Sequence, residues 1–159
     1  MHQQTPELTF LLTSFSELSP AALYEVMQAR VAVFIVEQQC LYQDLDGLDP
    51  LCQHLLMRGT EGALLGYVRI VPAGLSYKEI AIGRVITTHA GRGQGLGKRL
   101  MMAAIAACEA HGDRRIRIGA QAHLQAFYQS CGFVTDSAPY EEDGIPHAKM
   151  LRVTASAGS

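Results

Sequence analysis

Residues 79–110 read EIAIGRVITTHAGRGQGLGKRLMMAAIAACEA, which is a strand, a glycine-rich turn and a helix. Ile80, Ile82, Val85 and Ile86 are β-branched and suit a pleated, buried strand. Gly83 interrupts them and points to a bulge or to a backbone approached closely by something else. Gly91, Gly93, Gly95 and Gly97 then alternate with other residues, Arg92 among them, before Lys98 and Arg99. From Leu96 an apolar stripe runs through Leu100, Ala103, Ala104, Ala107 and Cys108 at helical spacing. Gly112 stands where glycine stops a helix.

Glycines and positive charge at a helix start call for an anion. First-turn N–H groups lack intrahelical partners, and the macrodipole adds partial positive charge there. Lys98 and Arg99 raise that potential further, which is unfavourable unless a phosphate or pyrophosphate answers it. The dinucleotide spacing G-x-G-x-x-G fails, since glycine would be required at Leu96 or Lys98. The P-loop fails as well, with Arg92 where glycine belongs and Arg99 where Ser or Thr belongs. What remains is Arg92-Gly93-Gln94-Gly95-Leu96-Gly97, an R-x-x-G-x-G run after a strand.

That run resembles the pyrophosphate-binding motif of the GCN5-related N-acetyltransferases (GNAT), which hold acetyl-CoA. The chain in order supports the likeness. Leu8–Phe15 is a strand with a mostly buried pattern, and Ser19-Pro20 starts a helix with Ser at the N-cap and Pro at N1. Val33–Gln38 fits neither helix nor strand cleanly, and Cys40–Pro50 has loop chemistry. Cys52–Arg58 and Ala63–Val71 flank a hairpin signal at Gly59-Thr60-Glu61-Gly62. Arg115–Ala120 is the strand after the long helix, and Ala122–Ser130 is a helix stopped by Gly132. Phe133–Thr135 and His147–Val153 are the last strands, separated by a polar loop.

The order β-α-β-β-β-α-β-α-β-β predicts a mixed α/β fold. It is also the order of the GNAT acyl-CoA N-acyltransferase fold, a central mixed β-sheet flanked by helices. The expectation is one N-acetyltransferase domain over residues 1–159, with its core at about 8–152 and a frayed tail at 154–159. Within the superfamily the chain is similar to the ElaA-like branch. The narrower match is carried by Val36-Glu37-Gln38, Tyr42-Gln43-Asp44, Ile82-Gly83-Arg84-Val85, Gly119-Ala120-Gln121-Ala122-His123-Leu124, Phe127-Tyr128 and Glu141-Glu142-Asp143-Gly144-Ile145-Pro146-His147. Many family members carry an Asn after the fifth strand, where this chain has Gln121-Ala122-His123.

The resemblance implies direct acetyl transfer from acetyl-CoA to an amine, with no metal. In the family the backbone at the fourth-strand bulge binds pantetheine and polarises the thioester carbonyl, and Val85, Ile86 and Thr87 match it. Arg92, Gly93, Gln94, Gly95, Leu96, Gly97 and Lys98 match the pyrophosphate loop. Tyr128 matches the tyrosine that faces the departing sulfur as general acid; by spacing alone it is also a core aromatic beside Phe127. Glu37 is the expected base, directly or through water, against a plain exposed carboxylate. His54 and His147 stand behind it, and each also reads as a structural histidine. Removing a proton from a lysine-like amine costs about 4.6 kcal/mol at pH 7, more than the roughly 2 kcal/mol for the leaving thiol.

Glu141, Glu142, Asp143 and His147 are the expected acceptor-binding residues, with Asp44, Asp46 and Asp49 as a second acidic loop; solvated loop charge is the plainer reading. A small-molecule amine, a polyamine and a peptide amine all remain open. A silent acyl-CoA-binding module and a transferase of longer acyl chains are the rival functions.

A net charge of −2 gives no support to nucleic-acid binding, and Arg114, Arg115 and Arg117 read as a solvated edge or a CoA 3′-phosphate contact. Four cysteines without C-x-x-C pairing or zinc-finger spacing read as free thiols of the cytoplasm. MHQQTPEL lacks a signal-peptide pattern, and Met101–Cys108 is too short to span a bilayer. The family also makes a homodimer one state to test.

Overall fold

The computed structural model describes residues 7–155. Residues 1–6 and 156–159, which include most of the N-terminal stretch read above and of the expected frayed tail, lie outside the described residues.

Among the described residues, eight strands form one sheet in the order β1-β2-β3-β4-β5-β8-β6, with β7 paired to β8. They are β1 (Thr9–Ser14), β2 (Gln53–Arg58), β3 (Leu64–Val71), β4 (Ile80–Thr87), β5 (Arg115–Gln121), β6 (Val134–Thr135), β7 (Tyr140–Glu142) and β8 (Ile145–Val153). Among these strands β4 and β5 pair in parallel and the other pairs are antiparallel, so the sheet is mixed as expected. The crossover between them is α2 (Leu96–Ala110), flanked in sequence by α1 (Pro20–Arg30) and α3 (Gln125–Ser130).

The helix signals hold where local chemistry sets them. Ser19 accepts from the Ala22 N–H at 3.1 Å and Pro20 occupies the first turn of α1. Gly112, at φ +100°, ends α2 in a Schellman pair: Asp113 N–H to Cys108 C=O and Gly112 N–H to Glu109 C=O. Along α2, Leu96, Leu100, Met101, Ala104, Ile105 and Cys108 are buried against the sheet.

Four local expectations need correction. Phe10, Leu11 and Leu12 of β1 are exposed, not buried, because β1 is an edge strand with no layer over these side chains. Val31–Glu37 continues α1 as a π-helix, with Gln38 N–H bonding Val33 C=O and Cys40 N–H bonding Ile35 C=O. The expected helix at 122–130 is a 3₁₀ turn, Ala122–Leu124, followed by the short α3. The expected polar loop after β6 contains β7, which hairpins onto β8 through Asp143 (φ +52°) and Gly144 (φ +77°). Both turn residues are left-handed, and Asp-Gly is a hairpin signal that the sequence reading passed over.

The two faces of the sheet differ. Val68, Ile70, Ile82, Ile118, Ala120 and Met150 pack beneath α2 and α3 in the larger core. Leu56, Leu64, Tyr67 and Ile86 pack on the α1 side. Ile82 and Ile86 should share a face by simple alternation. They do not, because between the pairs Arg69↔Gly83 and Tyr67↔Ile86 two residues of β4, Arg84 and Val85, oppose the single Val68. This bulge inverts the alternation and turns the end of β4 towards α1.

Candidate active site

β4 and β5 pair only at Ile80↔Ile116 and Ala81↔Arg117. Past Ala81 they diverge, so the β5-facing backbone of residues 82–87 has no strand to bond. The gap opens into a cleft of about 680 Å³. The bulge sits on its wall, and Val85, Ile86, Thr87 and Tyr128 all line it.

Arg84 at the bulge has φ +50°, a strained backbone for a side chain of this size. Its guanidinium lies 5.2 Å from the Phe34 ring centroid and 5.5 Å from that of Tyr42. Its Nε is 3.1 Å from Asp44 Oδ1, a charge contact without hydrogen-bond alignment. Asp44 also accepts from buried Arg30 at 2.9 Å, so the strained residue is fixed by a network rooted in α1.

That network corrects the reading of the second acidic loop. Arg30 bonds Asp44 and Asp49, and Arg69 bonds Asp46 through both oxygens and Asp49 as well. Burial alone would raise the Asp46 carboxyl, but the Arg69 hydrogen bonds, the Leu48 N–H and the nearby guanidiniums outweigh it and hold it at about 2. Asp44, Asp46 and Asp49 therefore face arginines of the same chain rather than a cationic acceptor.

Beyond β4 the chain turns through a 3₁₀ segment, His89–Gly91, to the start of α2. Gly91 is required there, since a β-carbon would strike the backbone of Leu65. Gly95 is the N-cap at φ +69°, and no side chain caps the helix. Arg92, Gly93, Gln94, Gly95 and Lys98 are exposed, Leu96 is buried and Gly97 lies 3.6 Å from Phe127 at its would-be β-carbon. The loop thus presents open first-turn N–H groups, two basic side chains and clear space around Gly93 and Gly95. These features fit a pyrophosphate.

Tyr128 on α3 is buried in the larger core, edge-on to Phe127 and Phe133. Burial, with a smaller effect of Cys131, pushes its phenol up to about 12. Glu37 ends the π-helix and is half-exposed. It accepts from Arg92 Nη2 at 2.7 Å, and that hydrogen bond is the first reason its carboxyl lies below the usual range. The structure thus joins the expected base to a residue of the expected phosphate loop, across 55 positions of sequence.

Of the expected acceptor residues, Glu142 and His147 line the main cleft. Asp143 lines a small adjoining pocket, and Glu141 is exposed on β7. His147 Nδ1 is 2.7 Å from the Ile145 carbonyl, and its ring stacks on Tyr140 at 5.8 Å. Tyr77, Tyr140 and Lys149 complete this wall, with Lys149 Nζ 5.7 and 5.9 Å from the two ring centroids. Sequence reasoning missed this cluster, because it joins a loop, β7 and β8 by tertiary contact alone. The period of β8 offered one signal: Ala148 and Met150 point into the core, so His147 and Lys149 must face the other way.

Among the described residues no group of His, Cys, Asp or Glu side chains could hold a metal ion, and no helix is long and apolar enough to cross a membrane.

Residues 16–153 match the acetyltransferase (GNAT) domain family. Protein ElaA of Escherichia coli K12 is 45% identical over 139 residues, which cover 86% of this chain and 91% of that protein. The crystal structure of E. coli ElaA superposes with a TM-score of 0.83 at 42% identity, covering 92% of this chain and 99% of that one. An acyl-CoA N-acyltransferase from Pseudomonas aeruginosa superposes with a TM-score of 0.86 at 41% identity, covering 92% of this chain and all of the other. With the splayed β4 and β5, the bulge and the uncapped helix start, these likenesses place the chain: it belongs to the GNAT family, in its ElaA-like branch, and is an acyltransferase.

Proposed function

We propose that the chain transfers an acetyl group from acetyl-CoA to a primary amine of a small molecule or peptide, by direct attack of the amine. The observation that carries this reading is the gap between β4 and β5, which runs from the bulge towards the uncapped start of α2. Arg92 to Lys98 would hold the pyrophosphate, and the backbone at Val85, Ile86 and Thr87 would bond the pantetheine arm and the thioester carbonyl. Backbone donors aimed at developing negative charge are often the largest catalytic contribution. The bound acetyl-CoA supplies an activated acyl carbon.

Tyr128 reaches the cleft from the α3 side, where it would meet the departing sulfur. At about 12 its phenol keeps its proton at any physiological pH. Full transfer to a thiolate of pKa about 8.5 runs uphill by roughly 5 kcal/mol. Tyr128 therefore acts mainly by donating a hydrogen bond as charge builds on sulfur. Glu37 holds Arg92 in place for the pyrophosphate, and its lowered pKa makes it a poor proton acceptor. Cys40, Cys52, Cys108 and Cys131 are free thiols, three of them buried, which supports a reducing cytoplasm.

Acetyl-CoA at about 100 times its Kd should stabilise the protein by roughly 2.7 kcal/mol. Gly95→Asp should abolish that shift, since Asp tolerates a left-handed backbone while placing negative charge at the phosphates. A folded variant with the wild-type shift would remove the phosphate assignment. Faster release of CoA thiol on adding an amine separates an enzyme from a silent binding module, and an acyl-CoA panel reads the chain-length preference.

A further inference from the structure

We infer that His147 is the catalytic proton acceptor for the amine, with its tautomer fixed by the Ile145 carbonyl. The inference rests on the acetyl-transfer reading above. The Ile145 oxygen can only accept, so the nitrogen 2.7 Å from it, Nδ1, carries the hydrogen. In the neutral ring Nε2 then holds a lone pair. Nε2 is directed towards Glu142, with Oε2 at 3.6 Å, too far for a hydrogen bond. Stacking on Tyr140 and near-complete burial fix the ring plane. A base so held needs no reorientation before it acts.

The sheet places this base opposite the acid. Gln121↔His147 and Ala120↔Ala148 are neighbours across β5 and β8, and Ala120 and Met150 point into the core under α2 and α3. His147 therefore stands on the other face, whereas Tyr128 belongs to the α3 core. The gap between β4 and β5 lies between the two faces, and both residues line the same cleft. An amine arriving on the His147 side meets the acyl carbon from the side opposite Tyr128. As its nitrogen forms the new C–N bond, the C–S bond breaks and its electron pair leaves with sulfur. His147 Nε2 takes the proton released by nitrogen and later loses it to solvent. The thiolate, hydrogen-bonded by Tyr128, takes a proton from water to leave as CoA thiol.

The groups that share this environment are Glu142 and Tyr140 of β7, Asp143 of the hairpin turn, Arg84 of β4 and Lys149 of β8.

Long-range ¹H–¹⁵N correlation of the imidazoles, with His147→Gln for assignment, reads the tautomer directly. The expected result is the Nδ1–H form at high pH, and an Nε2–H form would overturn the inference. Single-turnover release of CoA thiol from acetyl-CoA, with ethylamine at high concentration as probe, supplies the kinetic arm. His147→Gln should slow it by about 10²–10⁴-fold and abolish the acidic limb of its pH profile. The same variant should keep the acetyl-CoA-induced rise in Tm. A retained rise with an unchanged rate and profile removes His147 alone, whereas no rise in the wild-type protein removes the acetyl-transfer reading itself.

Discussion

The two faces of the sheet are built from different materials. Under α2 and α3 lies a dry core in which Leu100, Met101, Ala104 and Met150 are completely buried. Under α1 and the π-helix the buried set includes Arg30, Asp44, Asp49, His54 and Arg69, tied together by hydrogen bonds. Apolar packing is non-directional and forgives small shifts of position. Paired charges are directional, and a missing partner leaves a costly residue behind. The dry face supplies the platform from which Leu124 and Tyr128 reach the cleft. The charged face fixes what cannot be packed by apolar contact: the loop at 43–51 and, through Asp44, the bulge at Arg84.

The sharpest way to break the contrast is at Arg30, which has no exposed surface and bonds Asp44 twice and Asp49 once. Arg30→Ala takes the fully buried cation from two nearly buried carboxylates, leaving Asp49 to Arg69 and Asp44 to the misaligned contact with Arg84. The expected loss is about 3–5 kcal/mol of stability, read from urea unfolding at pH 7.5. The damage should reach the site, because Asp44 loses the partner that places it against Arg84. A loss below about 1 kcal/mol would mean that solvent or another cation compensates these charges.

The same contrast explains what was legible in the sequence. The stripe from Leu96 to Cys108, the Ser19 cap and the Gly112 stop are local patterns, and each found its place. The glycine–arginine loop was equally legible as a turn, with Gly93 and Gly95 in left-handed backbone and Gly95 at the N-cap of α2. Arg30–Asp49 and Arg69–Asp46 span 19 and 23 residues, and nothing in periodicity says which arginine meets which aspartate. A charged run therefore read as solvated loop although the fold buries Asp44 and Asp49. Glu37–Arg92 was hidden for the same reason. His147 was visible as a residue, but its place on the face opposite Tyr128 depends on strand register. β7 was missed on a simpler ground: three residues, two of them acidic, carry little strand propensity, and only the Asp143-Gly144 turn pointed to it.

On the dry face the corresponding cut is Leu100→Ala. Leu100 is fully buried in the larger core, so the expected loss is about 2–5 kcal/mol, set by how far the cavity collapses. What distinguishes it from Arg30→Ala is its indifference to charge. The destabilisation should be the same at pH 7.5 and pH 5, and Leu100→Ala should shift the unfolding curve without altering its pH dependence. A loss that grew with acidity would show that the two faces are coupled through the sheet.

The smallest expected effect is the most diagnostic of the charged face, and it comes from His54. Its Nε2 donates to the Asp49 carbonyl at 2.9 Å, which leaves Nδ1 to accept from the Tyr67 hydroxyl at 2.6 Å. Both nitrogens are used in the neutral ring. Burial is the main reason its pKa is lowered, and the guanidiniums of Arg30 and Arg69 add to that against the opposing pull of Asp49. A depressed histidine stays neutral in the folded protein while the unfolded chain binds a proton below about pH 6.5. The unfolded state then holds more protons, so stability must fall as pH drops. The contribution is fully present above about pH 6.5 and is lost as pH falls from there towards the lowered folded value. The slope cannot exceed about 1.4 kcal/mol per pH unit for one titrating group. His54→Gln keeps an acceptor for Tyr67 and a donor for Asp49 but cannot titrate. Its stability should be lower at pH 7.5 and should decline less on going to pH 5, before the carboxylates begin to protonate. Parallel pH dependence in the wild type and the variant would mean that His54 titrates alike in both states, and the charged face would then owe its acid sensitivity to the aspartates alone.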